Sequence, residues 1–484
     1  MNIEKELKKF NLQELLYLIS EETREMISKE DFKKDIFYYS RKKIPKKTWV
    51  LPWNLLKLSF LAIKQSNDYR STIPKEKDVY RLATYFNNND KNLFENPQFK
   101  KLKYDDEKLL IILFGLSQEQ FGYQLCHKNY EGFIRSIILL NIIPKEINSK
   151  LNLNEVLKEE VGFNIDSFNE LLYILVGFSF IRTDFNNIKI KNDVTKRLPS
   201  VTEENFKRII NYYTINYSEI RNNSLGTHNF SGKPIIKTDK NKLIISNHFM
   251  MSNLLSYGLY WVIRNHYRVK GTQEFTDEFG RYFESYAEKL FKHYLPNNMY
   301  EKIPERENME MPDWKIETEK YILLLEQKST LAPIKVKGMS PDINGLRDYM
   351  KKFLKAIKQL DSGEKVYENG KQTIKIIVHF ETLYVSELLK EPLLRIPKLN
   401  PSKYENLFFA SMDELEILID LLNKNEKLFE KIIEEKLRVE KESNLQDGRS
   451  FDKIFEKYDI NENNYINTLE NNLPFFDKFR ERKQ

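Results

Sequence analysis

Met311-Pro312-Asp313-Trp314-Lys315-Ile316-Glu317-Thr318-Glu319-Lys320-Tyr321-Ile322-Leu323-Leu324-Leu325-Glu326-Gln327-Lys328 is the stretch on which the fold turns. Polar residues Glu317 to Lys320 separate a short strand from the apolar run Tyr321 to Leu325. That pattern predicts a β-hairpin whose second strand is buried on both faces. Such a hairpin brings Asp313 near Glu326 and Lys328 and leaves Glu317 and Glu319 in the turn. Two carboxylates hold a hard cation through oxygen, and a lysine beside them orients or deprotonates a water.

The neighbouring segments supply a fold for this hairpin. Upstream, Phe279, Tyr282, Phe283, Tyr286, Ala287, Leu290 and Phe291 keep the i, i+3, i+4 rhythm of an amphipathic helix from Phe279 to Leu295. Glu284 falls on the border of its apolar arc, positioned to reach the edge of a sheet, whereas Glu288 faces solvent. Downstream, Leu346 to Leu360 is a second amphipathic helix, rich in lysine. Thr373 to Phe380 and Leu407 to Ala410 read as strands, and Ser411-Met412-Asp413-Glu414 is a capping box opening a further helix. The order is helix, hairpin, helix, strand, strand, helix.

Pro312-Asp313 with Glu326-Gln327-Lys328, preceded by the helix bearing Glu284, resembles the PD-(D/E)XK nuclease superfamily. Ala356-Ile357-Lys358-Gln359-Leu360 is similar to the helix that follows the catalytic strand in many of these nucleases. The resemblance covers residues 271 to 424. It implies a restriction-endonuclease-like α/β core with a mixed central sheet, placed after a mostly helical N-terminal region in an α+β multidomain chain. It also implies a Mg²⁺-dependent endonuclease, with Mn²⁺ as a substitute and DNA favoured over RNA. Asp313, Glu326, Glu284 and the backbone carbonyl of Gln327 would then be the metal ligands, and Lys328 would position the attacking water. Lys335 and Lys337, in the loop from Ser329 to Asn344, are expected to contact nucleic acid, as are Lys355 and Gln359 on the following helix. The alternative on the same fold is an inactive nuclease serving as a nucleic-acid-binding or scaffold module.

The chain has 484 residues, room for roughly two to four domains. A net charge of +7 permits nucleic-acid binding without demanding it. A single cysteine, Cys126, excludes intramolecular disulfides and cysteine-based metal clusters and points to a reducing compartment. The N-terminus is charged from Glu4 onward, and the longest apolar runs are too short for a membrane span, so a cytoplasmic protein without a membrane partner is expected.

Four divisions follow: a helical domain over 1–149, a mixed region over 150–270, the nuclease-like domain over 271–424 and a helical tail over 425–484. The first contains a helix capped by Asn11, another from Trp49 to Ile63, and the pair Cys126-His127, which reads as packing. In the second, Phe168 to Phe178 is helical. Phe180-Ile181-Arg182-Thr183 and Ile188-Lys189-Ile190-Lys191 read as a strand pair compatible with a winged helix. A helix is expected from Val201 to Ile220, a hairpin from Lys233 to Ile245, and an apolar helix from Asn247 to Tyr267 in which His248 caps and His266 faces solvent. Arg221 and His228 resemble the Arg-x(4–6)-His motif of HEPN ribonucleases, which implies a metal-independent ribonuclease as a rival activity. A large helical part ahead of a nuclease suggests a sensor or an interface for a partner subunit or a second copy, as in bacterial defence or restriction systems.

Overall fold

The computed structural model of the chain describes residues 2–29, 50–89, 97–120, 123, 128–223, 226–337, 342–381, 383, 386–442, 450–460 and 462–480. The protein is α+β and multidomain, with two compact units. One unit comprises residues 1–91, 120–273 and 473–484, and the other residues 92–119 and 274–472. Among the described residues no helix is long and apolar enough to cross a membrane.

The first unit is mostly helical. Asn11 accepts from the Glu14 amide at 3.1 Å and caps the helix Leu12–Ser28, whose Leu15, Leu16 and Ile19 are buried. A small sheet orders Thr214–Asn216, Ile235–Lys237 and Leu243–Ile245, parallel then antiparallel. The hairpin expected from Lys233 to Ile245 is therefore present. The helix expected from Val201 to Ile220 is not continuous: it runs Glu203–Tyr212, yields to the strand at 214–216, and resumes as Tyr217–Asn222. Pairing with 235–237 overrides the local helical pattern there.

The strand pair expected within Phe180–Lys191 does not form. Phe185 N instead donates to Leu243 O, and Ile245 N donates to Thr183 O, both at 3.0 Å. Asn192–Arg197 is helical. The winged-helix reading loses its hairpin because this stretch pairs with a distant strand.

The expected apolar helix spans His248–Val269, but its two histidines are buried. His248 Nδ1 meets Thr23 Oγ1 at 2.8 Å and its Nε2 meets Arg182 O at 3.0 Å. His266 Nδ1 meets Glu160 Oε1 at 2.8 Å, so it is a packed residue and not a surface one. Cys126 and His127 lie outside the described residues. The terminal helix Pro474–Arg480 belongs to this unit, where Phe475 and Phe479 meet Tyr173 edge to face and Lys478 pairs with buried Glu170.

In the second unit, helix α1 (Glu274–Tyr294) precedes strands β1 (Tyr300–Lys302), β2 (Trp314–Glu317) and β3 (Tyr321–Lys328). Helix α2 (Ile343–Tyr367), strand β4 (Gln372–His379), helix α3 (Ser386–Arg395), strand β5 (Leu407–Ser411) and helix α4 (Met412–Lys424) follow. The five strands lie in chain order. β1, β2 and β3 pair antiparallel, while β3, β4 and β5 pair parallel, making a mixed sheet. α2 makes the long return that parallel neighbours require.

Tyr321 to Gln327 are all buried, as expected of a strand with elements on both faces. One apolar core joins Leu324 and Ile377 of the sheet to Phe353 and Ile357 of α2, and also to Phe114 from the 92–119 segment. Helix α4 opens with the expected capping box: Ser411 Oγ accepts from the Glu414 amide, and a Glu414 carboxylate oxygen accepts from the Ser411 amide. The carboxyl ends of the parallel strands fall at Lys328, His379 and Ser411, in register. Open α/β sheets bind ligands outside that edge.

Candidate active site

The hairpin register determines what meets at that edge. Trp314 pairs with Leu325, and Asp313 N donates to Leu325 O at 3.0 Å. Side chains alternate along strands, so Asp313 and Glu326 share the face that α2 covers, while Trp314 and Gln327 share the face that α1 covers. Pro312 sits against α2 where Gly363 has no side chain. A Cβ at Gly363 would lie 2.7 Å from Pro312 Cγ, so glycine is what allows the helix this close to the motif.

Asp313 Oδ2 accepts from the Gln327 amide at 2.6 Å. Lys328 Nζ pairs with Glu326 Oε1 and also donates to Gln359 Oε1 at 3.3 Å. Gln359 in turn donates to Met311 O at 3.1 Å, tying α2 to the strand that bears Asp313. On the other face, the Gln327 side chain accepts from Trp314 Nε1 at 2.8 Å and donates to Phe283 O at 3.1 Å. Gln327 thus binds the Asp313 strand and α1 together, one residue before Glu284.

Burial disfavours the charge of both carboxylates, and the Asp313 charge disfavours that of Glu326 further. Burial pushes Glu326 up to about 8, with the Asp313 charge adding to the rise and Lys328 opposing it. Burial likewise pushes Asp313 up to about 6, opposed by the Gln327 amide, while the Glu284 charge adds to the rise. Glu326 is 2% exposed, and its Oε2 is buried with no hydrogen-bond partner. A carboxylate oxygen left bare in the interior is costly unless something binds it. A hard divalent cation takes carboxylate and carbonyl oxygen, so Asp313, Glu326 and the Gln327 carbonyl are a fitting donor set.

Protonation and metal therefore compete for the same oxygens. Both acids have folded values above their unfolded values of about 4, so the native state binds more protons than the unfolded chain between those limits. The metal-free protein should lose stability as pH rises from about 4 towards 8. Mn²⁺ affinity should rise over the upper part of that window, by roughly tenfold or more between pH 6 and 8, with proton release on binding. Calorimetric titrations at the two pH values check this, and an affinity independent of pH contradicts it.

The other expected site residues are dispersed. Among the described residues no three His, Cys, Asp or Glu side chains converge closely enough to hold a metal ion. Glu284, the expected further ligand, is paired with Lys302 at 2.7 Å. Gln359 points inward to Lys328 and is not free for a phosphate. Lys337 is held by Glu381, a buried carboxylate that also accepts from the Ala332 amide, so this lysine braces the loop after β3. Gly338 to Pro341 of that loop lie outside the described residues. Lys355 pairs with exposed Glu310 at 2.8 Å, and Lys335 is exposed.

Of the rival pair, Arg221 donates to Ile63 O at 2.8 Å and Ser66 O at 2.9 Å, closing the end of the helix Pro52–Gln65. His228 lies in the short turn Gly226–His228, and Ser224 and Leu225 between them lie outside the described residues.

Sequence reasoning missed Lys302, which sits on a three-residue strand too short to register as a pattern. It also missed Lys375, which is 2% exposed and paired with Asp361 and Glu364 of α2. A lone lysine within Ile374-Lys375-Ile376-Ile377-Val378 is the signal that could have found it. No protein-family model, no curated protein and no solved structure matches the chain.

Proposed function

We propose that this protein is a metal-dependent nuclease of the PD-(D/E)XK kind, an endonuclease hydrolysing phosphodiester bonds with DNA as the favoured substrate. The observation that carries the reading is the Asp313–Glu326 pair, in which Glu326 is buried with one bare carboxylate oxygen and Lys328 beside it. The pair lies at the carboxyl edge of the parallel strands, where the sheet offers a ligand site.

Asp313, Glu326 and the Gln327 carbonyl would hold Mg²⁺, which supplies Lewis-acid charge to the phosphate and acidifies a bound water. Lys328 is anchored by Glu326 and Gln359, so its remaining donor capacity is aimed and not free to wander. Its ammonium orients the attacking water and offsets charge that grows on the phosphate. Exposed Lys335 and the outer face of α2, including Lys358, offer phosphate contacts that need no sequence readout.

Incubation of the full chain with plasmid, linear DNA and RNA tests this. Cleavage that requires Mg²⁺ or Mn²⁺ and stops in EDTA is the expected result. RNA cleavage that persists in EDTA and disappears in His228→Ala would replace this reading with the metal-independent ribonuclease. Divalent-metal binding without cleavage of any of the three substrates would leave a binding module.

A further inference from the structure

We infer that Gln359 is a positioning residue of this site, the neutral anchor that keeps the Lys328 ammonium in place once Glu326 shares its charge with a divalent cation. This rests on the nuclease reading of the Asp313–Glu326 pair and assigns that site a further residue. Gln359 is half-buried on the face of α2 that covers Asp313 and Glu326. Its Oε1 accepts from Lys328 Nζ at 3.3 Å, and its Nε2 donates to Met311 O at 3.1 Å. An ammonium can only donate and a carbonyl can only accept, so one orientation of the amide satisfies both. A carboxylate lacks the donor for Met311, and an apolar side chain lacks both partners.

The close approach of the helix makes this reach possible. Gly363 lies one turn further on, over the same face of α2, and a Cβ there would come within 2.7 Å of Pro312 Cγ. Gln359 and Gly363 thus close on Met311 and Pro312, the two residues that lead into Asp313. Asp313 itself is held without Gln359: its N donates to Leu325 O at 3.0 Å, and its Oδ2 accepts from the Gln327 amide at 2.6 Å. Glu326 is fixed within β3, with Ile377 of β4 as its register partner. What depends on Gln359 is Lys328, whose ammonium rides on a long, flexible stem.

Lys328 has two anchors of different kinds. The Glu326 carboxylate, with which its ammonium pairs, also belongs to the donor set for a divalent cation. A bound cation and the ammonium draw on the same negative charge and repel each other, so that anchor loosens when the site is loaded. The Gln359 oxygen holds the ammonium by a charge-assisted hydrogen bond and adds no net charge to the site.

Steady-state cleavage with Mg²⁺ and calorimetric titration of Mn²⁺ at pH 8, both on the full chain, test the inference. Gln359→Met should lower kcat by about tenfold or more, as expected for the loss of one hydrogen bond to a charged group. KM and Mn²⁺ affinity should stay within about threefold of the natural protein. In a Lys328→Ala background the same substitution should change kcat by less than about twofold, because Gln359 acts through Lys328. Gln359→Ala gives the same comparison should Gln359→Met fail to fold, since alanine suits a helix. An unchanged kcat in the single variant, an equal loss in both backgrounds, or a loss of Mn²⁺ affinity of about tenfold would overturn the inference while leaving the nuclease reading intact. No Mg²⁺-dependent cleavage by the natural protein would overturn both.

Discussion

Asp313→Asn and Glu326→Gln should each lower Mg²⁺-dependent cleavage by about a thousandfold or more, equivalent to roughly 4 kcal/mol of lost transition-state stabilisation. Each substitution keeps the shape of the side chain and removes the charge that a hard cation needs. The fold has no reason to suffer. In Asp313→Asn, the new side-chain oxygen can still accept from the Gln327 amide, which reaches Asp313 Oδ2 at 2.6 Å. Glu326→Gln removes a buried carboxylate whose charged form burial already disfavours. Thermal unfolding without metal should therefore be kept within a few degrees in both variants. Cleavage within tenfold of the natural protein in either variant would remove that residue from the metal site.

Lys328→Ala should separate metal binding from turnover. Lys328 is not a metal ligand: it pairs with one oxygen of Glu326, while the other oxygen is bare. Its removal should leave Mn²⁺ binding measurable and lower kcat by about 10²–10³-fold, the range expected on removing a charge-stabilising donor. KM should move much less. The loss should ease only slightly at higher pH, because no other lysine occupies that position. Without Lys328 the Glu326 carboxyl loses the cation that opposes its rise, so the pH needed for half-maximal metal binding should shift upward. A variant with natural kcat, or one whose only defect is failure to bind metal, would assign Lys328 a structural part.

Much of the second unit was legible in the sequence because its signals are local. The apolar rhythm of Phe279 to Phe291, the five-residue run Tyr321 to Leu325 and the capping box at Ser411 each report on their own segment. The structure extends these elements but does not move them: α2 begins at Ile343, and β5 ends at Ser411. The adjacency of Asp313 and Glu326 followed from the hairpin alone.

What escaped depends on partners distant in sequence. Thr183 to Phe185 pair with residues about Leu243 to Ile245, which no local alternation announces. The strand Thr214–Asn216 interrupts a helical pattern because Ile235–Lys237 lies alongside it. Lys337 looks like a phosphate contact until Glu381 is seen to hold it, 44 residues downstream. Glu284 sits where the helical phase put it, but its partner Lys302 comes from an edge strand of only three residues. Positions were readable; ion pairing was not.

Calorimetric titration of Mn²⁺ at pH 8 into the natural protein and into Asp313→Asn asks whether the Asp313–Glu326 carboxylate pair is a divalent-cation site. Saturable binding by the natural protein that disappears in Asp313→Asn is the expected result. Equal binding by the two proteins, or none by either, would contradict it.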